Sequence, residues 1–248
     1  MYPFADTRAK DFGFDVGYNA LPKYTRVAAL GHNPDIDAGP EDVWTGGGTY
    51  PWMTAATSLE VLSSSANDTS AGTGARTITI NGLDINYNAI TATVTLNGTT
   101  SVAVGTQFFR INSALVASAG SGKVNAGDLT IRDAGAGTTR AIIPAAYGIT
   151  RQSQYTVAAN NTLQIHSMFF CINRPTSVRD ATVATYVQTP AMIYRMPLEI
   201  SVNGSPYRHE GLPGIILPEK TDFGLRCTYV SSTNTDITSA WLGILKQF

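Results

Sequence analysis

Two runs of strictly alternating residues limit what this chain can become. Thr77, Ile78, Thr79 and Ile80 alternate hydroxyl and branched apolar side chains, and Ile90, Thr91, Ala92, Thr93, Val94, Thr95 and Leu96 repeat the pattern. A period of two places one face of each segment against a core and the other in water, the signature of half-buried antiparallel strands. Asn81-Gly82 and Asn97-Gly98 read as turn dipeptides, because both residue types adopt positive φ readily. Residues 73–98 therefore predict a hairpin or sandwich edge, with no acid, base or nucleophile gathered there.

The same kind of segment recurs from Ser58 to the C-terminus. Candidate strands are 58–62, 76–80, 89–96, 107–116, 128–132, 140–146, 155–157, 163–173, 182–188, 192–202, 223–231 and 241–245, separated by loops rich in Gly, Ser, Asn and Asp. Residues 178–187 hold the best helical pattern, but their Thr and Val content favours a strand. The expected fold is all-β, a β-sandwich or jelly-roll body with an extended, irregular N-terminal arm. The divisions are an arm at 1–57, a first β block at 58–150 and a second at 151–248, the two blocks forming either sandwiches in series or one contiguous jelly roll.

Residues 1–57 differ from the rest. Tyr2, Phe4, Phe12, Phe14, Tyr18, Tyr24, Trp44 and Trp52 are scattered among prolines and glycines with no sustained period. Disordered tails are poor in aromatics, so this composition predicts anchors laid across another surface. These eight aromatics are the candidate docking residues.

Charged residues make up 14% of the chain, against the usual quarter. Thr, Ser, Asn, Ala and Gly replace them, which suits subunit contact because few charges need desolvating. A net charge of −1 and the lack of a basic run argue against capture of nucleic acid. No run of about 18 apolar residues predicts a membrane span, and Met-Tyr-Pro-Phe-Ala-Asp lacks the features of a signal peptide. Cys171 and Cys227 read as buried free thiols.

Each possible chemical motif has a simpler reading. Asp35 and Asp37 lack the spaced oxygen series of a calcium loop. His32, His166 and His209 form no zinc spacing, and His166 is expected on a strand surface. Gly120-Ser121-Gly122-Lys123 lacks the first glycine and the final Ser or Thr of a phosphate loop, so it reads as a hairpin loop. Arg208-His209-Glu210 has no nucleophile or paired carboxylate nearby. Pro218-Glu219-Lys220-Thr221-Asp222 reads as a loop presenting charges before a core strand. Trp44, Trp52 and Trp241 are possible sugar-stacking platforms, although Trp241 lies in a core-like run. No catalytic residue, metal site or cofactor is expected.

Several long stretches resemble a known group. Glu41-Asp42-Val43-Trp44-Thr45-Gly46-Gly47-Gly48-Thr49-Tyr50-Pro51-Trp52 leads through Ser63 to Asp68, Gly72 to Thr77, Gly82-Leu83-Asp84, Asn86-Tyr87-Asn88 and Thr95 to Thr99. With Leu217 to Phe223 and Asn234-Thr235-Asp236, it is similar to virion structural proteins of tailed double-stranded-DNA bacteriophages. The resemblance implies a non-enzymatic particle component, assembled in the host cytoplasm and bound to other virion proteins. Its expected place is a short tail fibre or neck appendage, trimeric and docked through the arm to the tail tube, nozzle or portal adaptor. Alternatives are a capsid decoration or cement protein, or a module that binds a host receptor or carbohydrate.

Overall fold

A computed structural model describes residues 12–17, 21–37, 39–173, 180–190, 192–203 and 206–248. Apart from one short helix, α1 (Phe12–Gly17), every regular element among the described residues is a strand, and every strand pairing among them is antiparallel. The strands build two sandwiches, each around its own apolar core.

The larger sandwich, here the body, uses both ends of the chain. Its first sheet has the order β1 (Tyr24–Ile36), β16 (Thr235–Gln247), β11 (Asn161–Ile172), β14 (Tyr207–Leu217). Its second has the order β10 (Tyr155–Thr156), β15 (Asp222–Val230), β12 (Asp180–Thr189), β13 (Met192–Asn203), and β2 (Glu41–Asp42) also pairs with β15. Counting β2 and β10 as two pieces of one strand, the eight positions interleave as 1-8-3-6 facing 2-7-4-5. That is the double Greek key of a jelly roll, in which successive strands alternate between the sheets except for the β12–β13 hairpin. Leu163, Ile165, Phe170, Ile237 and Trp241 from the first sheet meet Val183, Val202, Phe223, Leu225 and Cys227 from the second.

The smaller sandwich is inserted between β2 and β10. One sheet runs β6 (Val102–Phe108), β3 (Thr57–Ser63), β8 (Leu129–Asp133), β9 (Thr139–Ile143), and the other β5 (Ala89–Thr95), β4 (Ala75–Leu83), β7 (Arg110–Ala119). The alternating segments that opened the sequence reading are β4 and β5. Their Ile78, Ile80, Ala92 and Val94 are buried, whereas Thr77, Thr79, Thr91 and Thr93 lie on the outer face.

Three expectations need correction. The stretch 1–57 is not an arm throughout: β1 pairs along its length with β16, and Val27, Ala29 and Ile36 join the body core. Its alternation was hidden by Pro34 and by a register shift between Asn33 and Ile36. The single strand expected at 107–116 breaks at Phe109, where the chain passes from one sheet of the insert to the other. And Asn81-Gly82 is not a turn but lies inside β4, where a β-carbon on Gly82 would collide with the carbonyl oxygen of Arg110. Asn97-Gly98 does turn the chain, with Gly98 at φ +60°.

Candidate functional site

A buried polar cluster joins the insert to the body. Arg110 opens β7 of the insert and Asp222 opens β15 of the body. The guanidinium donates from Nε to Asp222 Oδ1 and from Nη2 to Oδ2, both at 2.8 Å, and each side chain is 7% exposed. Nη1 donates to the carbonyls of Met53 and Phe109 at 2.7 and 2.8 Å, so the fork is used on all sides. The ring of Phe109 lies 3.9 Å from the guanidinium carbon and that of Trp52 at 5.1 Å. Such rings favour the cation over their faces while excluding water. Thr156 of β10 donates its hydroxyl to Asp222 Oδ1 at 2.6 Å, completing the carboxylate's shell.

Further bonds spread the same contact. Asn112 of β7 and Thr156 exchange two, from Asn112 Nδ2 to the Thr156 carbonyl at 2.9 Å and from Thr156 N to Asn112 Oδ1 at 2.8 Å. Gln152 Nε2 donates to the carbonyl of Ile111, and Ala159 N to that of Tyr87, both at 2.9 Å. A buried ion pair with every donor placed favours one relative orientation of two bodies over others, even where its net stabilisation is small.

A second pair anchors the chain where it leaves the body. Arg226 donates from Nε to Asp42 Oδ1 at 2.6 Å and from Nη2 to Oδ2 at 2.9 Å, while Tyr50 N donates to Asp42 Oδ2 at 2.6 Å. Burial raises the Asp42 carboxyl above its ordinary range, and Arg226 opposes that rise. Inside the insert, Asp68 is fully buried and accepts from Ser63 Oγ, Ala75 N, Ala126 N and Gly127 N at 2.6–2.9 Å. It ties the loop after β3 to the loop before β8.

The sequence-predicted residues are dispersed. Tyr2, Phe4 and Tyr18 lie outside the described residues, as do the side chains of Phe12 and Phe14. Tyr24 starts β1 with its ring 5.9 Å from Lys246 Nζ. Trp44 is 4% exposed and meets Tyr50 edge-on at 5.1 Å, and Tyr50 meets Trp52 at 4.7 Å. The glycine-centred bend therefore folds its aromatics onto one another and onto Arg110. Trp241 is 2% exposed, so neither it nor Trp44 offers a face to a sugar.

Asp222, expected in a charge-presenting loop, is the buried partner of Arg110. No local signal distinguishes it, since its partner lies 112 residues away. His166 sits at the register shift of β11 with Nε2 buried rather than on an open surface. His32 Nε2 lies 2.8 Å from Asp236 Oδ1. The side chain of His209 is not described. Cys227 is buried and Cys171 half-buried, both as free thiols, and burial pushes the Cys227 thiol up to about 12. Lys123 lies in the loop between β7 and β8 with φ +62°. Among the described residues, no three His, Cys, Asp or Glu side chains converge as metal ligands. No helix among them is long and apolar enough to cross a membrane.

A concavity of about 610 Å³ runs along the outer face of the first body sheet. Its floor includes Ala28, Leu30, Ser167, Phe169, Ala240 and Leu242, and the insert supplies a wall with Asn112, Ser113 and Ile149.

No protein-family model matches the chain, and no curated protein matches it. Among solved structures, the chain aligns with one of infectious bursal disease virus, Gx strain, at 12% identity. That alignment covers 92% of this chain and 73% of that one, with a TM-score of 0.26. A VP2 subviral particle of the same virus aligns at 11% identity over 97% and 87% of the two chains, with a TM-score of 0.15. Scores this low do not establish a common fold.

Proposed function

We propose that this chain is a non-enzymatic structural subunit of a virus particle, in which the jelly-roll body is held by neighbouring virion proteins and displays the inserted sandwich. The observation that carries the reading is the junction: two β bodies joined by two chain crossings and locked by the Arg110–Asp222 pair. A rigid orientation between two sandwiches serves assembly, where each subunit must present its surfaces at fixed angles. Jelly rolls are frequent in capsid domains, although a fold by itself does not assign a function.

Within that reading the subunit is a short tail-fibre or neck appendage, docked to the tail tube or portal adaptor through the residues ahead of β1. Quantitative gel densitometry of purified particles tests it. Tens of copies per particle are expected. Hundreds of copies would indicate a cement protein on the head, and absence from the particle would end the structural assignment.

A further inference from the structure

We propose that the outer face of the sheet β1-β16-β11-β14 is a two-fold contact with a second copy of this chain. Hydroxyl pairs lie on the outer faces of the second body sheet and of the insert sheet β5-β4-β7. Thr182 and Ser201 meet at 3.3 Å, and Thr228 donates to Glu199 at 2.9 Å on the second body sheet. Thr77 meets Ser118 at 2.6 Å and Thr79 meets Thr93 at 3.3 Å on the insert. A solvated sheet face carries such polar residues at its outward positions.

The first body sheet breaks that pattern. Across β1, β16 and β11, strand register aligns Ala28, Leu242 and Ser167 in one row and Leu30, Ala240 and Phe169 in the next, with the exposed Arg208 of β14 beside Phe169. Beyond them come Arg26, Ile244, Gln164 and Ile216, with Ile216 60% exposed and Leu30 38% exposed. Ile149 of the insert, 45% exposed, extends the apolar area at the rim.

The occupant is argued from the shape of those two rows. The first reads small, large, small and the second large, small, large, so bumps and hollows alternate in both directions. A two-fold axis lying in the face and perpendicular to the strands exchanges the rows while keeping each strand over its counterpart. Leu30 then sits over Ala28, Leu242 over Ala240 and Phe169 over Ser167 of the second copy. Large residues over small ones are what close packing requires, and a surface that complements itself under a two-fold makes a closed, isologous pair. The size fits as well: four strands about 4.8 Å apart and up to 13 residues long cover roughly 750 Å², near the ~800 Å² per partner of a stable interface. This gives an even-numbered assembly, in contrast to the trimer that the sequence suggested.

Sedimentation analysis of the purified full chain across the micromolar range tests the proposal, independently of whether the protein enters particles. A dimer is expected, and Leu242→Arg should weaken it by at least about 100-fold, as loss of a central contact does. Circular dichroism checks that the variant is folded. Ala240→Leu should weaken the pair by placing leucine over leucine, and Ala240→Leu combined with Leu242→Ala should restore it. A monomer throughout, a trimer, a dimer indifferent to both single changes, or a double variant no tighter than Ala240→Leu would each overturn the proposal.

Discussion

At the scale of single residues, carboxylates organise several of the turns. Glu60 accepts from Gly135 N, Ala136 N and Arg132 Nε at 2.7–3.2 Å, and Asp84 accepts three bonds from Asn86 and Asn88. The backbone amides of Gly135 and Ala136, with Arg132, hold the Glu60 carboxyl below its ordinary range. A carboxyl lowered on folding stabilises the native state above its unfolded titration range, and that contribution is lost as pH falls through the folded value. Glu60→Gln should therefore lower the melting temperature at pH 7, and the gap from the natural protein should close on acidification through the glutamate range. A gap independent of pH would assign Glu60 a packing role instead. Gly135 and Ala136 fall in the glycine-rich loop expected between the strands at 128–132 and 140–146, whereas Glu60 was not legible as their acceptor, because nothing near it in the chain marks it as one.

Elements were legible where alternation was clean, at an edge such as β5 as well as inside a sheet. β3, β4, β5, β8, β11 and β15 fall close to their expected positions. β14 was missed because Gly211, Pro213 and Gly214 interrupt it, and proline is tolerated there because the strand lies at a sheet edge. β1 was missed for a related reason: aromatics and prolines dominate its surroundings, and only pairing with β16, more than two hundred residues away in sequence, defines it. This changes what a truncation does. Removing residues 1–11 should leave a folded β protein. Removal through residue 40 deletes β1, bares the edge of β16 and should yield insoluble protein, since an uncovered central strand is a template for aggregation. Circular dichroism and solubility of the two truncations check this, and a soluble, folded chain lacking residues 1–40 would contradict the role given to β1.

At the scale of the whole molecule, the order of the chain was the part least open to sequence reasoning. Both blocks were visible, but not that residues 24–48 and 151–248 close one body around the other block. That arrangement is set by pairings between distant segments, which local pattern does not encode. The junction couples two separate cores, so intact protein should melt in a single calorimetric transition. Asp222→Asn leaves Arg110 buried without its counter-charge, at a cost of about 3–5 kcal/mol, and should split the melt in two. One unchanged transition in that variant would mean that the cores are coupled by other contacts. The two crossings into the insert have a mechanical consequence. β2 and β10 lie end to end along the same edge of β15, pairing at Glu41–Asp42 and Tyr155–Thr156. A pull on the insert is therefore shared by two peptide tethers that meet the body at adjoining points on one strand.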